Sequence, residues 1–139
     1  MTTQKDKELL IKDLCAMLPY GVKILDISAN VVGKLFLIST TDTVQYETHN
    51  DTGIQTLYNI KPYLFPLSSI TEGQKDQISQ LLLDTKIEFS PYEEDYVNLL
   101  VSSIKQSNAL INYCLTNHLD INGLIEKGLA IDATGLNIY

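Results

Sequence analysis

The chain has 139 residues, 45% of them hydrophobic and 19% charged, which is enough apolar material for one core and too little polarity for a disordered segment. Its formal charge is −7 and every one of its ten basic residues is a lysine, so the molecular field repels phosphate backbones and anionic membranes, and the planar fork of arginine is missing. The expectation is a single domain over residues 1–139 that binds neither nucleic acid nor membrane, since no apolar run approaches the roughly 20 residues a spanning helix needs.

From Thr3 to Leu18 the apolar residues Leu10, Ile11, Leu14, Met17 and Leu18 recur at spacings of three and four. That predicts an amphipathic helix with Lys5, Glu8, Lys12 and Asp13 in water, stopped by Pro19 and Gly21. Its polar start lacks the apolar stretch of a secretory signal, and the expected location is the cytoplasm. Val22 to Ser28 and Val31 to Thr40 read as strands around a turn at Ser28-Ala29-Asn30, the second apolar enough for a central strand covered on both faces. Thr43 to Thr48 and Ile54 to Ile60 alternate, with His49 to Gly53 as the loop between them. The reading is α+β: an antiparallel sheet of about four short strands, from Val22 to Ile60, packed by the N-terminal helix and by C-terminal helices.

Pro62 and Pro66 make Lys61 to Ile70 an ordered irregular connection with Tyr63, Leu64, Phe65 and Leu67 buried. Thr71 and Gln74 form a capping-box pattern before a helix through Ile78, Leu81 and Leu82 that fades near Asp84. Lys86 to Phe89 reads as a short fifth strand. Ser90-Pro91-Tyr92-Glu93 starts a long helical pattern through Leu100 and Ile111 to Leu115, with a break allowed around Ser102 to Asn108. Asn122-Gly123 marks a turn, and Leu124 to Lys127 a single helical turn ended by Gly128. Leu14, Leu35, Leu37, Ile78, Leu100 and Ile111 are expected to share one core.

Candidate chemistry is sparse. Cys114 and His118 are four apart, which suits a thiol nucleophile and its base with Asp120 orienting the ring, but the competing reading is a core cysteine at a helix end. The latter is expected, and no catalytic residue is assigned. Cys15 and Cys114 are expected as buried thiols, and a disulfide between them would require their helices to touch. With His49 and His118 they offer no close ligand pair, so no metal or other cofactor is expected. Glu93, Glu94 and Asp95 complement a helix N-terminus. Tyrosines beside turns, Tyr20, Tyr63, Tyr92, Tyr96 and Tyr139, are candidates for a contact surface, and Lys61 and Lys127 for the rim of a ligand pocket.

Three blocks carry a resemblance: Leu18-Pro19-Tyr20-Gly21-Val22, then Lys61-Pro62-Tyr63-Leu64-Phe65-Pro66-Leu67-Ser68-Ser69-Ile70-Thr71, then the run from His118 through Gly128-Leu129-Ala130-Ile131-Asp132 to Tyr139. In this order they resemble a family of small proteins abundant in gut Bacteroides genomes and their phages. The resemblance implies a cytoplasmic α+β protein, often encoded on mobile elements, with no established activity. Where relatives have Trp-Leu followed by two histidines, this chain has Cys114-Leu115 and Asn117-His118, so half of any paired-histidine function is missing. The leading expectation is a non-enzymatic module that binds a protein partner. Two others are a binder of a small nucleotide signal, lined by the proline-rich segment and the C-terminal block, and an enzyme based on Cys114.

Overall fold

A computed structural model describes residues 3–84 and 108–139. Helix α1 (Gln4–Met17) begins on a reciprocal cap: the Asp6 amide donates to the Thr3 hydroxyl and the Thr3 amide donates to the Asp6 carboxylate. Its buried residues are Leu10, Asp13, Leu14 and Met17, the i, i+3, i+4, i+7 set of one helix face. Two expectations are corrected here. Asp13 is buried because of where it stands in that set, and Cys15, one position outside it, is exposed. Both cysteines are free.

A 3-10 turn over Leu18–Tyr20 ends at Gly21, whose φ of +72° is a conformation that glycine adopts without penalty. The chain then builds a sheet whose strands run in the order β4-β3-β2-β1-β5-β6. The first four, β1 (Lys23–Asp26), β2 (Val31–Ile38), β3 (Thr43–Glu47) and β4 (Thr52–Thr56), form the predicted antiparallel meander. The fifth, β5 (Ile60–Leu64), returns to pair antiparallel with β1, and β6 (Ile131–Asp132) adds parallel to β5.

The predicted strand from Ile54 to Ile60 is therefore two. A 3-10 turn at Leu57–Asn59 ends the first, and Ile60 opens the second on the far side of the sheet. The proline-rich segment, expected to be irregular from Lys61 to Ile70, is a strand as far as Leu64, passing through Pro62, and irregular beyond it. Pairing to β6 begins only at Tyr63, so that side of β5 is open where the proline lacks its amide. Tyr63, Leu64 and Leu67 are buried as expected, with Phe65 half-buried.

Strand β2 is covered on one face only. Leu35 is buried, whereas Val32, Phe36 and Leu37 stay exposed, and a register shift between Leu35 and Leu37 leaves Phe36 and Leu37 both outside. Helix α2 (Glu72–Asp84) starts on the Thr71 and Gln74 box, with both reciprocal bonds formed. Helix α3 (Asn108–Thr116) packs against it. The expected strand at Lys86 to Phe89, the helix start at Ser90, Leu100, the acidic triplet Glu93 to Asp95, and Tyr92 and Tyr96 lie outside the described residues.

Among the described residues the buried side chains form two clusters. Leu10, Leu14, Met17, Ile24, Leu35, Val44 and Leu57 fill the space between α1 and the inner sheet face, which Leu115, Leu124 and Leu129 close from the C-terminal side. Leu67, Ile70, Ile78, Leu110, Cys114 and Leu119 form the second cluster. Ile111 and Ile121 pack against both.

Candidate functional site

The C-terminal block is organised by how α3 ends. The amide of Leu119 donates to the Cys114 carbonyl at 2.9 Å and that of His118 to the Leu115 carbonyl at 3.1 Å, with His118 at φ +57°. This is the helix termination in which glycine usually takes the left-handed position. The same pattern recurs ten residues on, where Leu129 donates to Leu124 and Gly128 to Ile125, with Gly128 at φ +73°. The predicted helical turn at Leu124 to Lys127 is this tight turn. Asp120 anchors it by accepting from the amides of Leu124 and Ile125 at 2.8 and 3.0 Å.

The His118 ring holds three parts of the chain together. Its Nε2–H donates to the Tyr20 carbonyl at 2.9 Å, and the ring stacks on Tyr139 at 3.8 Å between centroids with planes 12° apart. The Tyr139 hydroxyl donates to the Tyr63 carbonyl at 2.7 Å and accepts from the Lys23 amide at 2.9 Å. Burial lowers the His118 pKa despite the Tyr20 contact, so the imidazole is neutral at pH 7 with its proton on Nε2 and Nδ1 left as an acceptor. Burial likewise pushes the Tyr139 phenol up to about 12. Thus Tyr20, Tyr63 and Tyr139 do converge, two through their main chains and one through its ring.

The Cys114, His118 and Asp120 constellation does not assemble. Cys114 is fully buried and burial pushes its thiol up to about 12, so no thiolate forms at neutral pH. His118 has left the helix for Tyr20, and Asp120 is occupied by backbone amides. Lys61 borders a crevice of only about 40 Å³ beside Leu129, and Lys127 is exposed on the tight turn. Among the described residues no three His, Cys, Asp or Glu side chains stand as a metal-binding set, and no helix is long and apolar enough to cross a membrane.

Two features that residue-by-residue reading missed are present instead. The first is a groove of about 460 Å³ between the proline-rich segment, the start of α2, the end of α3 and the C-terminal tail. Phe65, His118 and Tyr139 contribute rings to its lining, and the remaining polar side chains are uncharged. The second is the outer sheet face, where Val32, Phe36, Leu37 and Ile54 are 40 to 66% exposed. Lys23 and Lys34 stand directly opposite each other on that face, with Glu47 beyond Lys34. The signal for the open face was available in the polar partners of the strands: Thr43, Gln45 and Glu47 alternate on the side that Val44 and Tyr46 do not occupy.

Behind this face, Asp26 is a buried hub. It accepts from the Tyr46 hydroxyl at 2.7 Å, Gln55 Nε2 at 3.1 Å and the Ala29 amide at 3.1 Å, tying β1 to β3 and β4 across the inner face. Burial works to raise its carboxyl, and these bonds outweigh it and hold the pKa below the ordinary value. Tyr46 is correspondingly pushed up to about 12 by its bond to Asp26.

No family model matches the chain, and neither a curated protein nor a solved structure matches it significantly.

Proposed function

We propose that the chain is a non-enzymatic protein-binding module, a cytoplasmic accessory protein of the phage or mobile-element kind that its sequence blocks resemble. Its docking surface is the outer sheet face, and its partner presents an apolar surface edged by carboxylates. The observation that carries this reading is the row of Val32, Phe36, Leu37 and Ile54, large apolar side chains held 40 to 66% exposed on one face of a sheet whose other face is buried. Charge supports the choice of partner. In a chain of net charge −7, this face carries Lys34 cross-strand to Lys23 and Glu47, and with the Lys23 ammonium spent on the Ile138 carbonyl, Lys34 is the cation left to meet an acidic group of the partner.

The edge of the same sheet points to face contact over strand addition. By the parity of an antiparallel ladder, the amides of Thr52, Ile54 and Thr56 point away from β3. Two of these three are taken by side chains of the preceding residues, Thr52 by Asp51 Oδ1 at 2.8 Å and Thr56 by Gln55 Oε1 at 2.9 Å. An edge so occupied offers little to an added strand.

Photo-crosslinking in the native host tests the proposal, with a benzophenone amino acid at position 36 or 54 and, as control, at the exposed Gln80 on α2. The expected result is one discrete adduct from both face positions, absent at position 80 and lost when Lys34→Glu is added. No adduct, or equal adducts at all three positions, would overturn the reading. An adduct of twice the chain's mass would replace the acidic partner with a second copy.

A further inference from the structure

The groove between the proline-rich segment and the C-terminal block is independent of the sheet face, and its chemistry is unusually uniform. Among the described residues no charged side chain lines its roughly 460 Å³. One neighbouring cation is already engaged: Lys23 Nζ donates to the Ile138 carbonyl at 2.7 Å and lies 5.9 Å from the centre of the Tyr139 ring. A phosphate-bearing ligand would find no countercharge here, and a cation no carboxylate. A purely apolar ligand would strip water from hydroxyls and amides without replacing their hydrogen bonds.

What the lining does offer is a balanced set of remaining donors and acceptors. Thr71 Oγ1 accepts from the Gln74 amide and keeps its own proton to donate, and Gln74 Nε2 has no other bond among the described residues. The Thr134 hydroxyl, by contrast, is spent on the Asp132 carboxylate, whose pKa it lowers. On the acceptor side, Asn117 spends only its Nδ2, on Tyr113, and Ser69 spends only its proton, on Pro66, which leaves an oxygen on each. His118 adds its Nδ1 lone pair. A hydroxyl group both donates and accepts, so this mixed uncharged set suits a ligand carrying several of them. The volume is in the range of small-molecule sites, and Phe65 and Tyr139, 5.9 Å apart and tilted by 47°, supply aromatic surface for a ring.

We infer that this groove is a binding site for a neutral, hydroxylated small molecule. Two sources share that chemistry, saccharides of one or two units and nucleosides.

Amide-detected NMR titration of the isotopically labelled chain tests it, with methyl glucoside, maltose and N-acetylglucosamine in one arm, uridine and adenosine in a second, and UMP in a third. Dissociation constants of about 10 mM or tighter are expected in the first or second arm. The shift changes should be confined to the groove, around Ser69, Gln74, Asn117, His118 and Thr134. Whichever neutral arm binds identifies the source. Thr134→Tyr, placed on an exposed residue to fill the groove, should weaken binding at least tenfold with an unchanged melting temperature. Should that variant not fold, the wild-type shift map decides by itself. No binding in any arm, tighter binding of UMP than of uridine, or shift changes centred elsewhere would overturn the inference.

Discussion

Asp13 shows what a single carboxyl does when helix position places it in a core. Only 2% exposed, it accepts from Asn122 Nδ2 through one oxygen, while its other oxygen has no partner among the described residues. Burial is the main cause that lifts its pKa to about 6, with the nearby Asp120 adding to the lift and Lys12 and Asn122 opposing it. Because the folded value lies above the unfolded one, near 4, the folded state binds the extra proton between those limits, and Asp13 lowers stability as pH rises through that window. The shift corresponds to about 3 kcal/mol at pH 7. Asp13→Asn should therefore be more stable than wild type by about 2 to 3 kcal/mol at pH 7, with the gain fading toward zero near pH 4, as read by urea unfolding at several pH values. His118 has the opposite sign: burial depresses its folded pKa, so its contribution grows with pH, which is why the difference between variant and wild type is the informative quantity. His118 also occupies a left-handed backbone position at a strain of about 1 kcal/mol. His118→Ala loses the ring and keeps the strain, whereas His118→Gly loses the ring and relieves the strain. The glycine variant should be the more stable of the two by about 1 kcal/mol in the same assay.

At the scale of elements, two glycines on strands flanking β3 make room for one ring. A Cβ on Gly33 would lie 2.4 Å from Tyr46 Cδ2, and one on Gly53 would lie 2.3 Å from Tyr46 Cζ. The ring thus lies over the bare backbone of both neighbouring strands, which lets its hydroxyl reach Asp26 on β1. Gly53→Ala should cost about 1 to 3 kcal/mol by forcing the ring aside, and most of that cost should vanish in a Tyr46→Ala background, a coupling that a double-mutant cycle on chemical unfolding would measure. This device was not legible beforehand. In sequence, Gly33 reads as part of an apolar strand and Gly53 as a loop residue, and only the cross-strand register brings them to Tyr46. What was legible rests on local physics: the Thr71 and Gln74 cap is formed by residues three apart, and the meander follows from alternation and short turns. The return of β5 beside β1 was missed because Pro62 argues against a strand unless one knows which side of it is unpaired. Asp13 was readable from its spacing to Leu10, Leu14 and Met17, had position outweighed polarity. The groove could be anticipated as a meeting of the proline-rich and C-terminal blocks. Its lack of charged side chains could not, because Lys61 and Lys127 stand in the same two blocks and nothing local shows that they point away from it.

For the whole molecule, the question is whether two hydrophobic clusters make one cooperative unit. Separate clusters can unfold separately when few contacts join them. Here the joints are numerous in kind. Ile111 and Ile121 pack against both clusters, the Phe65 amide donates to the His118 carbonyl and its own carbonyl accepts from the Asp120 amide, both at 2.8 Å, and Tyr139 ties the start of β1 and the end of β5 to the end of α3. Because these joints bridge residues distant in sequence, losing either cluster would leave backbone groups of the other without partners in a dehydrated interior. Leu35→Ala, in the first cluster, and Ile78→Ala, in the second, each remove a side chain exposed by 1% or less and should each lower stability by about 2 to 5 kcal/mol. Calorimetry should show each variant shifting a single transition whose shape is otherwise retained. If Ile78→Ala instead splits the transition, leaving a component at the wild-type midpoint, the α2–α3 cluster is an independently melting unit and the bridge through Ile111 and Ile121 is too weak to couple it.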